Sequence, residues 1–101
     1  MRRLAWHAVA RVEVGDLLID ESIEAKLRGK TPPLTGQEVR EVVLWSRDAA
    51  TRWHNDAIHG WRLIVRGRTY QGRPIVAYCM PLEDDSAVFK LKTAWVEPSR
   101  H

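Results

Sequence analysis

Four arginines lie within a short stretch of the chain that contains no carboxylate. The stretch runs from His59 to Tyr78, and acidic residues are absent from the whole of 57–82. Its arginines are Arg62, Arg66, Arg68 and Arg73. A guanidinium presents a planar set of donors that fits phosphate oxygens in a bidentate geometry. The stretch could therefore bind a phosphodiester backbone and stabilise the charge that develops on phosphorus during cleavage.

Two lysines near the C-terminal end extend this basic set. Lys90 and Lys92 alternate with apolar residues, as Arg62 and Arg66 do, and alternation turns such residues to one face of a sheet. These four residues are predicted to share a phosphate-facing surface. The candidates for stabilising the charge on phosphorus are Arg66 and Lys92, and the other candidate phosphate-binding residues are Arg62, Lys90 and the turn residues Arg68 and Arg73. The alternative is a solvated sheet face whose cations protect an edge strand from aggregation.

Two histidines, His54 and His59, flank a predicted turn and could move a proton. Histidine titrates near neutral pH and is the usual base for a 2′-hydroxyl, and His59 is the candidate for this role. The alternative is two polar turn residues that contact only water. Their spacing suits a metal poorly, and Cys79 does not complete a ligand set, so we expect no metal and no other cofactor.

The remaining reactive or aromatic side chains have packing explanations as well. Trp45, Trp53, Trp61 and Trp95 could stack on bases, but for a small domain we expect them to pack in the core. Cys79 is the single cysteine and lies in an apolar run, so it is expected to be a buried hydrophobe.

Length and composition indicate one soluble domain over residues 1–101. The chain is 45% hydrophobic and 29% charged, has no apolar run of the roughly 20 residues that span a bilayer, and begins without a sustained signal-type apolar region. With its lone cysteine this composition predicts a cytoplasmic protein with no membrane association. The net charge is +3. The excess of positive charge comes from residues 61–101, which contain seven Lys or Arg and four Asp or Glu residues.

The first half of the chain predicts one strand and two helices. Alternation predicts a strand over Ala8–Val14, broken at 15–16. Ile19, Ile23 and Leu27 then recur every four residues, as in a short amphipathic helix that Asp16 or Asp20 could cap. Thr35 and Glu38 have the spacing of a capping box, which predicts a second helix that reaches at least Val43 and ends near Trp45.

The second half of the chain has the period of strands. Strands are predicted over 50–55, 61–66, 74–80 and 87–96, with turns near Gln71-Gly72 and over 81–86. In the last strand, Phe89, Leu91, Thr93 and Trp95 should share one face, and Val88, Lys90, Lys92 and Ala94 the other. The predicted fold is α+β: an N-terminal strand and two short helices packed on one face of a three- to four-stranded antiparallel meander.

Three segments carry a resemblance to a known group of proteins. They are KLRGKTPPLTGQEVREVV over 26–43, RLIVRGRTYQGRPIVAY over 62–78 and FKLKTAW over 89–95. With this order of elements, the Gly67-Arg68-Thr69, Gly72-Arg73 and Thr93-Ala94 matches resemble the RelE/ParE-like toxins of bacterial toxin–antitoxin pairs, and the BrnT-like branch in particular.

The resemblance implies a metal-independent endoribonuclease that cleaves messenger RNA. It also implies a cognate antitoxin as partner, and the chain could form a homodimer or a hetero-oligomer with that antitoxin. In such an enzyme the catalytic candidates are His59, Arg66 and Lys92, and the candidate RNA-binding residues are Arg62, Arg68, Arg73 and Lys90. The residues alone leave a second class open: a non-catalytic interaction module whose basic sheet face binds nucleic acid or an acidic protein.

Overall fold

A five-stranded sheet forms the centre of the protein. The structure, a computed structural model, describes residues 12–82 and 87–98. The strands are β1 (Asp16–Leu18), β2 (Ala50–Asp56), β3 (Gly60–Arg68), β4 (Pro74–Pro81) and β5 (Val88–Val96). Their order is β1-β5-β4-β3-β2: β2 to β5 form the predicted antiparallel meander, and β1 pairs in parallel with β5. The α+β class is confirmed, but the sheet is mixed and larger than predicted.

Two helices lie between β1 and β2. Helix α1 spans Glu21–Arg28, and α2 spans Gly36–Arg40 and continues directly into a π-helical segment, Glu41–Trp45. The capping box forms as predicted: the Glu38 backbone N–H donates to Thr35 Oγ1, and the Thr35 N–H donates to Glu38 Oε1, each at 3.1 Å. The helix predicted beyond Val43 is confirmed, with its last turn widened to a π-helix.

The helices cover one face of the sheet, which we call the core face. Leu27, Val39 and Val42 are fully buried there against residues such as Leu63 and Leu91 of the strands. The π-helical segment packs tightly against the sheet at Gly67, where an added Cβ would lie 3.1 Å from both Ala49 Cβ and Val42 Cγ1. Glycine at this position therefore permits the close helix–strand contact.

The first strand within 12–82 begins at Asp16, after the end of the predicted Ala8–Val14 strand. Most of the predicted Ala8–Val14 strand is outside the described residues, and its described end, 12–14, is irregular. Just before Asp16, the Gly15 N–H donates to the Ala87 carbonyl at 2.8 Å. The alternation ends at 15–16, so a break was predicted there. The strand at 16–18 exists because it pairs with β5, a long-range contact that has no local signal in the sequence.

The caps predicted for α1 do not form. Asp20 occupies the N-cap position, but its side chain makes no capping hydrogen bond. Its carboxylate lies 3.2 Å from Lys90 Nζ instead. Asp16 Oδ1 accepts from the Leu17 N–H at 2.8 Å within β1.

A β-bulge at Lys92 changes which side chains of β5 share a face. Tyr78 pairs with Thr93 and its neighbour Cys79 pairs with Leu91, so Lys92 is an extra residue without a partner in β4. The core face therefore receives Phe89, Leu91, Ala94 and Val96, and the opposite face receives Lys90, Thr93 and Trp95. The predicted alternation, which put Thr93 and Trp95 with Phe89, is wrong beyond the bulge.

Of the four tryptophans predicted to pack in the core, only Trp53 does so, because Trp45 and Trp61 are exposed and Trp95 lies on the face opposite the helices. Trp45 is 47% exposed and Trp61 is 57% exposed, while Trp53 and Trp95 are half-buried. The prediction for Cys79 is confirmed. This thiol is fully buried, and burial raises its pKa to about 12. No helix in 12–82 or 87–98 is long and apolar enough to cross a membrane.

Candidate nucleic-acid interface

The sheet face opposite the helices, which we call the outer face, carries most of the predicted cations. Directly paired residues of neighbouring strands lie on the same face of a sheet. The register pairs His54 with Arg62, Ile64 with Tyr78, Tyr78 with Thr93 and Val76 with Trp95. The residues that alternate with them along each strand, such as Leu63 and Ala77, point to the core face and belong to the buried cluster. The outer face is therefore a surface of basic and aromatic side chains.

An arginine and two aromatic rings stack across three neighbouring strands of the outer face. The guanidinium carbon of Arg62 lies 5.5 Å from the centroid of the Tyr78 ring. On its other side, Tyr78 lies 5.2 Å from the Trp95 ring, between centroids, with a 37° angle between the ring planes. Tyr78 is opposite Ile64 and Thr93, so both contacts are diagonal across the strands, a separation that long side chains span. We call Arg62, Tyr78 and Trp95 the outer-face stack.

Arg62 carries a donor that nothing in the described chain satisfies. Its Nε is buried and has no hydrogen-bond partner, and no ion pair joins its guanidinium to a carboxylate among residues 12–82 and 87–98. The Tyr78 ring supplies a cation–π contact but no oxygen acceptor. The Nε is covered, but the terminal Nη groups of Arg62 also form no hydrogen bond within the described chain, so Arg62 can donate to a phosphate or carbonyl oxygen of a ligand without giving up a protein acceptor.

Four of the other predicted cations already have protein partners. Arg66 is 2.5 Å from Glu97, and Lys90 is 3.2 Å from Asp20. Arg68 donates to the Gly72 carbonyl at 2.8 Å. Arg73 is bound to Glu38 at 2.6 Å and also donates to the Pro33 carbonyl at 2.9 Å. The stretch 57–82 contains no acidic residue, but carboxylates from other parts of the chain, Glu38 of α2 and Glu97 after β5, contact its arginines in the folded protein.

Arg73 in particular lies away from the outer face. Its two contacts join the start of β4 to the first turn of α2, and Glu38 is also the capping-box residue. This arginine holds a helix in place. Lys92, at the bulge of β5, is half-buried, and its side chain forms no hydrogen bond or ion pair with the rest of the described chain.

The structure does not bring His59 near Arg66. His59 precedes β3 and Arg66 lies near its far end, which puts their backbones roughly 20 Å apart at the rise of a strand. The His59 ring instead lies 3.3 Å from Asp56. Backbone N–H groups of His59 and Ile58 donate to the same carboxylate at 3.0 and 2.7 Å, and they lower the pKa of Asp56 to about 2.

His54 is the histidine that lies on the outer face. It is exposed on β2 and directly opposite Arg62 on β3. Its even spacing from Arg52, another outer-face residue, was a signal in the sequence that could have separated it from the turn. Sequence analysis placed His54 beside a turn, so its alternation with Arg52 was not used. The strand in fact continues past His54 to Asp56.

A groove opens beside the outer face, at the end of the sheet where β2 and β4 begin and β3 finishes. It has a volume of about 620 Å³. Its lining includes two arginines and two carboxylates, and consists of Ser46, Asp48, Ala50, Arg66, Gly67, Arg68, Thr69, Pro74 and Glu97. Sequence analysis did not identify Asp48 or Ser46, which lie in the loop before β2 and approach the sheet only in the fold.

No cluster of three or more His, Cys, Asp or Glu residues that could hold a metal ion occurs within the described ranges. The chain has no significant match among protein-family models, curated proteins or solved structures.

Proposed function

We propose that the outer face binds single-stranded RNA. The observation that carries this proposal is the outer-face stack, in which Arg62 has an unsatisfied donor and lies against Tyr78, itself stacked on Trp95. Aromatic rings on a sheet stack with unpaired bases, and a guanidinium beside them binds phosphate or adds a cation–π contact. The choice of RNA over DNA follows from the resemblance to RelE/ParE-like toxins.

The stack favours a single strand over a duplex. In a duplex the base faces are covered by their neighbours, so an aromatic ring on a protein surface cannot reach them. An unpaired strand exposes both the faces of its bases and its phosphates. The outer face offers both kinds of contact within three strands: the rings of Tyr78 and Trp95 for the bases, and the cation of Arg62 for a phosphate.

Salt dependence of RNA binding tests the assignment of Arg62. The change is Arg62→Gln, which keeps a long polar side chain but removes the charge. Each phosphate contact on a single strand contributes about −0.7 to the log–log slope of affinity against salt, so this variant should flatten the slope by about that amount. The measurement is fluorescence anisotropy with a labelled unstructured RNA over a series of salt concentrations.

Arg28→Gln is the matched control, because Arg28 is an exposed arginine in the last turn of α1, on the helical side. It loses the same charge and should leave the slope nearly unchanged. Equal slopes for the two variants, or binding of the wild type only to an acidic protein, would refute the RNA interface.

A second candidate function is cleavage of the bound RNA without a metal. The observation that favours it is His54, which lies opposite Arg62 on the outer face. In this mechanism His54 takes the proton of a 2′-hydroxyl as the 2′-oxygen bonds to phosphorus. The 5′-oxygen of the next nucleotide leaves with the electron pair of its bond to phosphorus and gains a proton from a water molecule. Arg62 and Lys92 would bind the charged phosphoryl oxygens.

Comparing the two histidines tests cleavage separately from binding. His54→Gln should abolish cleavage in the presence of EDTA and leave RNA affinity nearly unchanged, because the fold and the stack are kept. His59→Gln, which changes a turn residue, should keep wild-type activity. Equal activity of both variants and the wild type would contradict a role for His54.

We further propose that the protein is a toxin whose activity a cognate antitoxin inhibits by binding it. The resemblance is its only support, together with the basic outer face that an acidic partner would cover. Expression of the intact chain should then slow bacterial growth, and co-expression of the adjacent small reading frame should restore it. Undiminished growth with abundant folded protein would contradict the toxin role while leaving RNA binding open to its own test.

A further inference from the structure

We infer that the groove at the end of β2, β3 and β4 binds a guanine base. The inference rests on the proposed function, because the groove would take one base of the strand that crosses the outer face. The two surfaces are continuous: Ala50 and Arg66 belong to the outer face and also line the groove. The volume of about 620 Å³ lies within the range of about 300–1,000 Å³ for small-molecule sites.

The chemistry of the lining selects among the bases. Asp48 contributes a carboxylate, which accepts hydrogen bonds only, and no ion pair or hydrogen bond joins its side chain to the described part of the protein. Arg68 contributes a guanidinium, which donates only; its Nη1 donates to the Gly72 carbonyl, and the remaining N–H groups are left for a ligand. A complementary base must present donors to one and acceptors to the other.

Guanine has that pattern on its two edges. Its N1–H and N2 amino group are adjacent donors that a single carboxylate can accept together, and its O6 and N7 are the acceptors that arginine recognises in pairs. Adenine replaces the N1 donor by an acceptor and has no N2 amino group. Uracil and cytosine each lack the pair of adjacent donors. The Ser46 hydroxyl can adapt as donor or acceptor and adds no preference.

Mononucleotides test the groove without requiring the rest of an RNA strand. GMP and AMP share sugar and phosphate, so a difference between them reports the base. A bidentate base contact contributes about 1–3 kcal/mol of discrimination, so GMP should bind about 5- to 150-fold more tightly than AMP. IMP, which lacks the N2 amino group, should fall between them. Titrations followed by backbone amide shifts should move Gly67 and Thr69 of the groove.

Asp48→Asn is the decisive variant. A carboxylate accepts from both guanine donors, whereas the asparagine amide has one accepting oxygen and an NH₂ group that only donates. It should lower GMP affinity to that of AMP and leave AMP affinity unchanged. Glu21→Gln, which neutralises an exposed carboxylate of α1, is the matched control and should keep the preference for GMP.

The outcomes separate this inference from the proposed function. Oligonucleotide binding with equal affinity for GMP and AMP leaves the outer face as an RNA site and overturns the guanine groove. GMP preference that Asp48→Asn removes, without any oligonucleotide binding, supports the groove and overturns the RNA interface. Shifts confined to residues far from Gly67 and Thr69 would also overturn the groove.

Discussion

Arg62 differs from the neighbouring cations in what surrounds its guanidinium. Arg66, Arg73 and Lys90 each have a carboxylate partner, whereas Arg62 lies against a ring and keeps an unsatisfied Nε. A cation that is already paired must break its ion pair before it binds phosphate, while Arg62 need not. At the residue scale, the availability of an arginine for a phosphate therefore depends on its spatial partners more than on the number of arginines.

These partners explain why residue roles were only partly predictable. The sequence shows that 57–82 lacks acids, which led to one basic surface with equal members. Glu97 meets Arg66 from 31 positions away, and Glu38 meets Arg73 across 35. Such pairs depend on the tertiary arrangement, and no local pattern announces them. Arg62 was among the predicted RNA-binding residues, but its difference from the others required the structure.

Arg73 should affect stability and leave RNA binding nearly unchanged. Arg73→Gln removes two contacts to the start of α2, the ion pair with Glu38 and the bond to the Pro33 carbonyl. We expect the free energy of unfolding to fall by about 1–2 kcal/mol, a modest value because both charged side chains are partly exposed. Urea unfolding measures it. A stability equal to that of Arg28→Gln, together with a lower RNA affinity, would move Arg73 from the scaffold to the interface.

Cys79 should react with thiol reagents only when the protein opens. Burial raises its pKa from 9.0 to about 12, so at pH 8 the native thiolate fraction is about a thousandfold below that of the unfolded chain. Because the folded state holds this proton more tightly, the contribution of Cys79 to stability is complete below pH 9 and declines as the pH rises toward 12. Labelling at pH 8 with and without urea measures the difference, and rapid native labelling would contradict the burial.

Local signals predicted the elements of this fold well where they were complete within a few residues. The capping box needs only Thr35 and Glu38, and it formed as predicted. The bulge at Lys92 shifts an entire half of β5 by one residue, and alternation carries no sign of it. The shift moves Trp95 to the outer face, so the outer-face stack could not be predicted from the strand pattern.

The capping box should stabilise α2 measurably. Thr35→Ala removes the acceptor for the Glu38 N–H and should lower the free energy of unfolding by about 0.5–2 kcal/mol. Ser22→Ala, an exposed hydroxyl within α1, is the control and should change stability by no more than about 0.5 kcal/mol. Chemical denaturation of the two variants decides the matter, since equal midpoints would mean that the box contributes nothing.

At the scale of the whole molecule, the two faces of the sheet have different surroundings. The core face is packed against α1, α2 and the π-helical segment, and the outer face carries the stack. The α+β class followed from the change of period along the chain, whereas the parallel β1–β5 pairing had no local signal. Because neighbouring residues of one strand point to opposite faces, substitutions a few positions apart should affect different properties.

Leu91 and Trp95 of β5 provide the test of this division. Leu91 is fully buried on the core face, so Leu91→Val should lower the free energy of unfolding by about 0.5–2 kcal/mol and leave RNA affinity unchanged. Trp95→Leu keeps an apolar side chain but removes the ring beside Tyr78. Stacking contributes about 1–3 kcal/mol per base, so RNA affinity should fall by about 5- to 150-fold.

Both properties must be measured for both variants, by urea unfolding and by anisotropy at a temperature where each variant is folded. Two sites that act independently give one strong effect per variant, stability for Leu91→Val and affinity for Trp95→Leu. If affinity falls in proportion to stability in both variants, binding depends on the fold as a whole. The rings of the outer face would then serve packing, and the cations alone would remain as the contact with RNA.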